Sequence, residues 1–402
     1  MVPEGWEKHP VGKICRSIVP GRNKPKEFNG SIPWVTTPEI TGRYIPSELQ
    51  QNYVSNEALK ECGGKTVPSG AVVMAAVGEL GLVAITSEVV VLNQQLHAFV
   101  CSDLVFNEYL AYWLSSQKPY METIASKTTI PYLNKTNCES IPVALPPLPE
   151  QRKIAAILST WDKAICTTEQ LLANSQQQKK ALMQQLLTGK KRLLDENGER
   201  FRGEWKYVRL STVADMNSGG TPKSTIEEYY GGNIPWVSIA DMTKQGKWIA
   251  STEKYLTEIG LENSSARIYP KHSVLYAMYA SIGECSIAQV PLSSSQAILG
   301  IRPKSKLNFE FLYFFLTSLK EKIKLQGQQG TQSNLNAGMV KDFLIYLPDI
   351  EEQQRIAAVL TTADQEVEAL QGKLEALKQE KKALMQQLLT GKRRVKVDEV
   401  AA

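Results

Sequence analysis

A chain that repeats itself at one constant offset must fold the same way twice, because equivalent positions then face equivalent packing demands. In this sequence of 402 residues the offset is 202. Ile32-Pro33-Trp34-Val35 returns as Ile234-Pro235-Trp236-Val237, Tyr53 as Tyr255, Pro68 as Pro270 and Gly81 as Gly283. The register then holds: Gln94 pairs with Gln296, Leu110 with Leu312, Leu133-Asn134 with Leu335-Asn336, and Leu145-Pro146 with Leu347-Pro348. It slips only near each start, where Pro25-Lys26 matches Pro222-Lys223 and the second copy carries five more residues before Gly232.

The two copies are unevenly alike. Over 150–192 against 352–394 there is no gap, and 23 of the 43 positions are identical, including the unbroken run 179–190 against 381–392. Elsewhere identity falls to isolated turn and core positions. One chain therefore keeps two near-identical segments beside two divergent ones.

The near-identical segments read as long helices. With Ile154 as heptad position a, the a positions are Ile154, Trp161, Thr168, Ser175 and Leu182, and the d positions are Leu158, Ile165, Leu172, Lys179 and Leu186. In the second copy a is Ile356, Ala363, Leu370, Leu377 and Leu384, and d is Leu360, Val367, Leu374, Lys381 and Leu388. Five heptads of this repeat demand a facing helix. Acidic starts at Glu150, Glu351 and Glu352, and Gly-Lys-rich ends at Gly189-Lys190-Lys191-Arg192 and Gly391-Lys392-Arg393-Arg394, suit the helix dipole and a glycine stop. About 39 residues at roughly 1.5 Å each make a rod of about 58 Å. The simplest partner is the chain's own other helix, packed antiparallel with pseudo-twofold symmetry. Lys179 and Lys381 at d then either set register by reaching an acidic group or contact a partner.

The expected class is α+β: two globular domains, each followed by a long helix. The divisions are 1–149 for the first head, 150–190 for its helix, 191–348 for the second head, 349–392 for its helix and 393–402 for a tail. Short β-branched or aromatic runs, such as 32–36, 71–76 and 82–86 with 234–239 and 273–277, predict strands, and helices follow at 107–115 and 309–318. With 43% hydrophobic and 22% charged residues there is ample material for two cores. A net charge of +5 is compatible with nucleic acid and decides nothing alone.

Several chemistries lack their motifs. The six cysteines form no C-x-x-C pair and read as reduced thiols, and His9, His97 and His272 are isolated and do not recur, which supports neither a metal cluster nor a histidine-based triad. Gly189-Lys190 and Gly391-Lys392 lack the rest of a Walker loop, and no G-x-G-x-x-G opens a βαβ unit. No leader and no apolar run long enough to span a bilayer is seen, so no membrane association and a cytoplasmic location are expected.

What recurs in the divergent segments is basic and polar loop material beside aromatics. The candidates for DNA contact are Arg22, Lys24, Lys26, Arg43, Lys127, Tyr132 and Asn134 in the first copy, and Lys223, Ser224, Lys247, Asn334 and Asn336 in the second. Each is also compatible with a solvated turn, and Asn134 and Asn336 equally with a turn cap. Trp34 and Trp236, in apolar strands, are expected in the core.

This pattern resembles the specificity subunit of Type I restriction-modification systems. Its marks are Pro146-Pro147-Leu148-Pro149-Glu150-Gln151 and Leu347-Pro348-Asp349-Ile350-Glu351-Glu352-Gln353, which lead into Ile-Ala-Ala helices ending in Leu-Leu-Thr-Gly-Lys. Ile-Pro-Trp-Val and the Gly-Thr-Pro-Lys at 220–223 add to it, although the first copy has Arg22-Asn23-Lys24-Pro25-Lys26 instead. The resemblance implies that each head reads one part of an asymmetric, split double-stranded DNA target and that the helices space the heads. It also implies two modification subunits using S-adenosylmethionine and restriction subunits using ATP and Mg, with no cofactor and no catalysis in this chain. Gln151, Lys179, Gln184 and Gln185, with Gln353, Lys381, Gln386 and Gln387, are the candidate partner-binding set. A coiled-coil scaffold with protein-binding heads is the alternative.

Overall fold

A computed structural model describes residues 2–21, 23–126, 129–328 and 335–397. The chain divides into two compact units, Met1–Glu169 with Gly372–Ala402, and Gln170–Gln371. Each unit holds one head, the first part of one long helix and the last part of the other.

In the first unit a five-stranded sheet runs in the order Cys15–Ile18, Leu96–Cys101, Val72–Ala75, Val83–Thr86, Tyr44–Ile45, antiparallel except for the last pair. The central strand Val72–Ala75 is buried on both faces, which explains its unbroken apolar run. One face is covered by the helix Asn107–Ser116, which buries Tyr109 through Leu114. On the other side lies a four-stranded sheet in the order Tyr53–Val54, Ile32–Val35, Val90–Leu92, Thr66–Val67. A ribbon of Glu7–Pro10 with Pro142–Leu145 leads into the long helix Leu148–Leu186.

The second unit repeats the plan. Its five strands follow the order Ala214–Ser218, Ile298–Pro303, Val274–Ala277, Cys285–Ala288, Trp248–Ile249, again with a parallel last pair. Lys206–Arg209 pairs with Leu344–Leu347 before the long helix Ile350–Leu388. The helix expected over 309–318 runs on as Phe309–Gln328, whereas in the first unit the chain breaks at Gln117 and restarts as Lys118–Ile124. Pro119 accounts for the break, since it cannot donate within a continuous helix, and the second copy has Glu321 at the matching position.

The heptad reading holds: every a and d position named above is buried or half-buried. Within the first unit the two long helices run antiparallel, with Asp162 meeting Lys381 and Glu169 meeting Lys378 at 2.8 Å. Within the second, Lys179 meets Asp364 in the same sense. Helix ends seal the head cores: Leu388 and Leu389 lie in that of the first unit, and Leu186 and Leu187 in that of the second.

Candidate nucleic-acid interface and its stalk

The basic loops of both heads are pinned by matching tryptophans. Trp34 and Trp236 are 9% and 8% exposed. In the first unit Pro25 is buried while Lys24 and Lys26 face solvent, and the Lys24 ammonium lies 5.6 Å from the ring centroids of both Phe28 and Trp34. In the second unit Trp236 Nε1 donates to the Gly220 carbonyl at 2.9 Å and Tyr230 OH to that of Pro222 at 2.8 Å. A Cβ on Gly220 would meet the Ala266 nitrogen at 2.2 Å, so this close approach needs glycine. Lys223 and Ser224 project from the loop so anchored. Cations held on an ordered loop lose little freedom on meeting a phosphate. Arg22, Lys127 and Asn334 lie outside the described residues.

Other candidates have work inside the heads. Arg43 gives Nε and Nη2 to Glu108 Oε2 at 3.0 and 2.8 Å and stacks 3.6 Å from the Tyr112 ring centroid. Lys247, 8% exposed, reaches Glu310 at 3.1 Å and Thr361 Oγ1 at 2.9 Å, with the Phe314 ring 4.7 Å away. Glu310 and Phe314 sit 202 residues after Glu108 and Tyr112, so this is one device built twice. A buried ammonium must be paired, and that need explains the contacts. Asn134 and Asn336 cap short helices, accepting from Asn137 N at 2.8 Å and Met339 N at 2.9 Å. Tyr132 stays 44% exposed, its backbone bridged to Val77.

Along the stalk, Lys179 and Lys381 reach acidic groups, Asp364 and Asp162 respectively. In the first unit Asp162 also accepts from Tyr112 OH, and burial raises that phenol's pKa, with the Asp162 hydrogen bond adding to it. Gln184, Gln185, Gln386 and Gln387 are exposed on the last turns. Gln151 and Gln353, expected to face a partner, are instead fully buried. Gln151 donates to the carbonyls of Leu104 and Pro146 and accepts from Phe106 N, and Gln353 does the same with Lys306, Pro348 and Asn308. Each amide ties off backbone groups left open where head meets helix.

Sequence reasoning gave Glu150 and Glu352 no role beyond the helix dipole. They are 3% and 1% exposed. Glu352 accepts from Arg192 Nε and Nη2, both at 2.7 Å, and from Trp205 Nε1 at 2.9 Å. Glu150 accepts from Arg394 at 2.8 and 2.9 Å and from Trp6 Nε1 at 3.1 Å. Burying a carboxylate is costly unless such a fork and a further donor satisfy it. One signal was available: the ungapped block 150–192 against 352–394 begins and ends on these four partners.

Among the described residues no cluster of His, Cys, Asp and Glu is placed to hold a metal ion, and no helix is long and apolar enough to cross a membrane.

Two divergent heads on antiparallel, near-identical stalk segments define a duplicated recognition architecture. The family described as Type I restriction modification DNA specificity domain matches residues 3–174 and 202–379. The chain belongs to this family and carries its domain twice. It is 27% identical to the Type I restriction enzyme MjaVIII specificity subunit of Methanocaldococcus jannaschii, over 98% of this chain and 94% of the relative. The MjaIX specificity subunit of the same organism is 32% identical over 41% of the chain, which spans 39% of that relative's length. The EcoR124I/EcoR124II specificity subunit of Escherichia coli is 26% identical over 64% of the chain and 63% of the relative. The crystal structure of a Type-I restriction-modification system S subunit from M. genitalium shares the fold, with a TM-score of 0.60 at 15% identity over 96% of each chain. As a specificity subunit, the chain is not the catalytic part of its system.

Proposed function

We propose that this chain reads a split, asymmetric target in double-stranded DNA, one part with each head, and that the paired helices fix the spacer between the parts and dock two modification subunits. One observation carries this reading: the Lys–Asp pair and the Glu–Arg pair recur at an offset of 202 in both units, each Glu–Arg pair completed by a tryptophan, Trp6 or Trp205, while the exposed loops of the heads differ. Two copies of one partner require like docking surfaces, and two unlike half-sites require unlike readers. The modification subunits bring S-adenosylmethionine and the restriction subunits ATP and Mg, with none required by this chain.

Selection of random duplexes by the chain together with a modification subunit tests the reading. Enrichment of two defined elements around an undefined gap is expected. Removing a matched heptad from both helices then changes the gap and leaves the elements alone. No enrichment points to a scaffold whose heads bind protein.

A further inference from the structure

We infer that the second head carries a phosphate-binding cleft of its own, apart from the basic loops. The cleft encloses about 350 Å³ and is walled by Lys271, His272 and Ser273, by Arg302 and Lys304 at the end of strand Ile298–Pro303, and by Phe309 where its helix begins.

Three independent features point to an anion. Lys271, Arg302 and Lys304 are exposed, and one carboxylate, Asp215, is shared by Lys304 at 3.5 Å and Arg302 at 3.9 Å, so positive charge is in excess among these groups. The Ser273 hydroxyl is buried with no hydrogen-bond partner although the residue lines the cleft, a costly arrangement unless an acceptor arrives. His272 adopts φ 69°, a left-handed conformation in which a Cβ is strained. The first copy has Gly70 at this position, with φ 80°. The strained residue is locked in place, its ring stacked 4.2 Å from that of Phe309 with planes 2° apart. Backbone strain kept where glycine would serve is characteristic of binding sites.

The first head has none of this set. At the positions of Lys271, His272, Ser273, Arg302 and Lys304 it carries Ser69, Gly70, Ala71, Val100 and Ser102. A guanidinium fork, two ammonium groups and a hydroxyl donor suit a tetrahedral oxyanion with several acceptor oxygens. The phosphate comes either from a DNA backbone, a source that rests on the proposed function, or from a free phosphate or nucleotide.

Replacing these residues in the full chain by those of the first copy, His272→Gly, Ser273→Ala and Arg302→Val, separates binding from folding, because each residue is already accommodated in the matching fold. Titration with inorganic phosphate, followed by calorimetry, should show saturable binding weakened at least fivefold by each variant. His272→Gly should keep or raise the melting temperature, since its strain is released. Binding of a random-sequence duplex across a salt series identifies the source. A salt slope lowered by about one in Arg302→Val assigns the site to a DNA phosphate, and an unchanged slope assigns it to free phosphate or a nucleotide. Absence of saturable phosphate binding by the unmodified chain, or binding indifferent to all three variants, overturns the inference. Since the titration needs no target sequence, its outcome is independent of whether a split motif is selected.

Discussion

Arg394, near the end of the chain, closes its guanidinium on the buried Glu150 at 2.8 and 2.9 Å, and so completes the unit that holds the chain's beginning. Arg192 does the same for Glu352 in the other unit. Each head is therefore finished by the helix end that follows the other head in sequence.

Arg394→Ala should loosen the first head, not the second head that precedes it in the chain. The loss should be about 2 kcal/mol, below the roughly 3–5 kcal/mol of a fully buried pair, because the Arg394 side chain is 46% exposed. Hydrogen exchange should accelerate over 3–145 and stay unchanged over 206–347, and Arg192→Ala should invert the pattern. Equal acceleration of both heads would contradict the assignment.

The Lys381–Asp162 pair fixes helix register inside the first unit. Lys381→Asp should cost about 2 kcal/mol by facing two carboxylates, and adding Asp162→Lys should restore most of it. A denaturant double-mutant cycle with no coupling would show that register is set by the leucines alone.

The second unit is one uninterrupted stretch, Gln170–Gln371, whereas the first needs Gly372–Ala402 added to Met1–Glu169. A fragment of 170–371 should fold as a cooperative monomer. Residues 1–169 alone should show exposed core, since Leu388 and Leu389 are missing from it, and should be rescued by the 372–402 peptide in trans. Circular dichroism and thermal melts check both halves of this expectation.

His97, 3% exposed and within 2.6 Å of Ser17 Oγ, has its pKa lowered by burial from 6.5 to about 4. The unfolded chain then binds a proton that the folded chain refuses. The contribution is fully present above about 6.5 and is lost as pH falls toward about 4. Its size is about 3 kcal/mol as an order of magnitude. His97→Leu, the residue found at the matching position 299, should flatten stability across that window. Urea melts between these pH limits that keep their slope in the variant would refute the role.

Lys24→Ala, Lys26→Ala and Lys223→Ala should each lower the salt slope of duplex binding by about one without altering melting. Lys247→Ala should do the reverse, lowering the melting temperature by leaving Glu310 without its buried cation and the slope unchanged. A slope change in Lys247→Ala would return that residue to the interface.

The stalk was the most legible part, since a heptad pattern depends on which face is apolar and that follows from residue order alone. Residue type misled at Gln151 and Gln353: polar side chains repeated on a helix look like surface, and only the meeting of head and helix shows that they satisfy open backbone groups. Arg43 and Lys247 recurred beside aromatics, as DNA-contacting residues would. Their carboxylate partners lie 65 and 63 residues away, beyond the reach of any local pattern.

Sequence by itself determined the duplication, the paired helices and the contrast between like stalks and unlike heads, because periodicity and identity are properties of order along the chain. Tertiary structure decided which charges are spent internally, which glutamines are buried, and that each head is closed by an arginine from the far repeat. Those outcomes depend on desolvation, and a side chain's exposure to water is set by neighbours that the linear order does not place beside it.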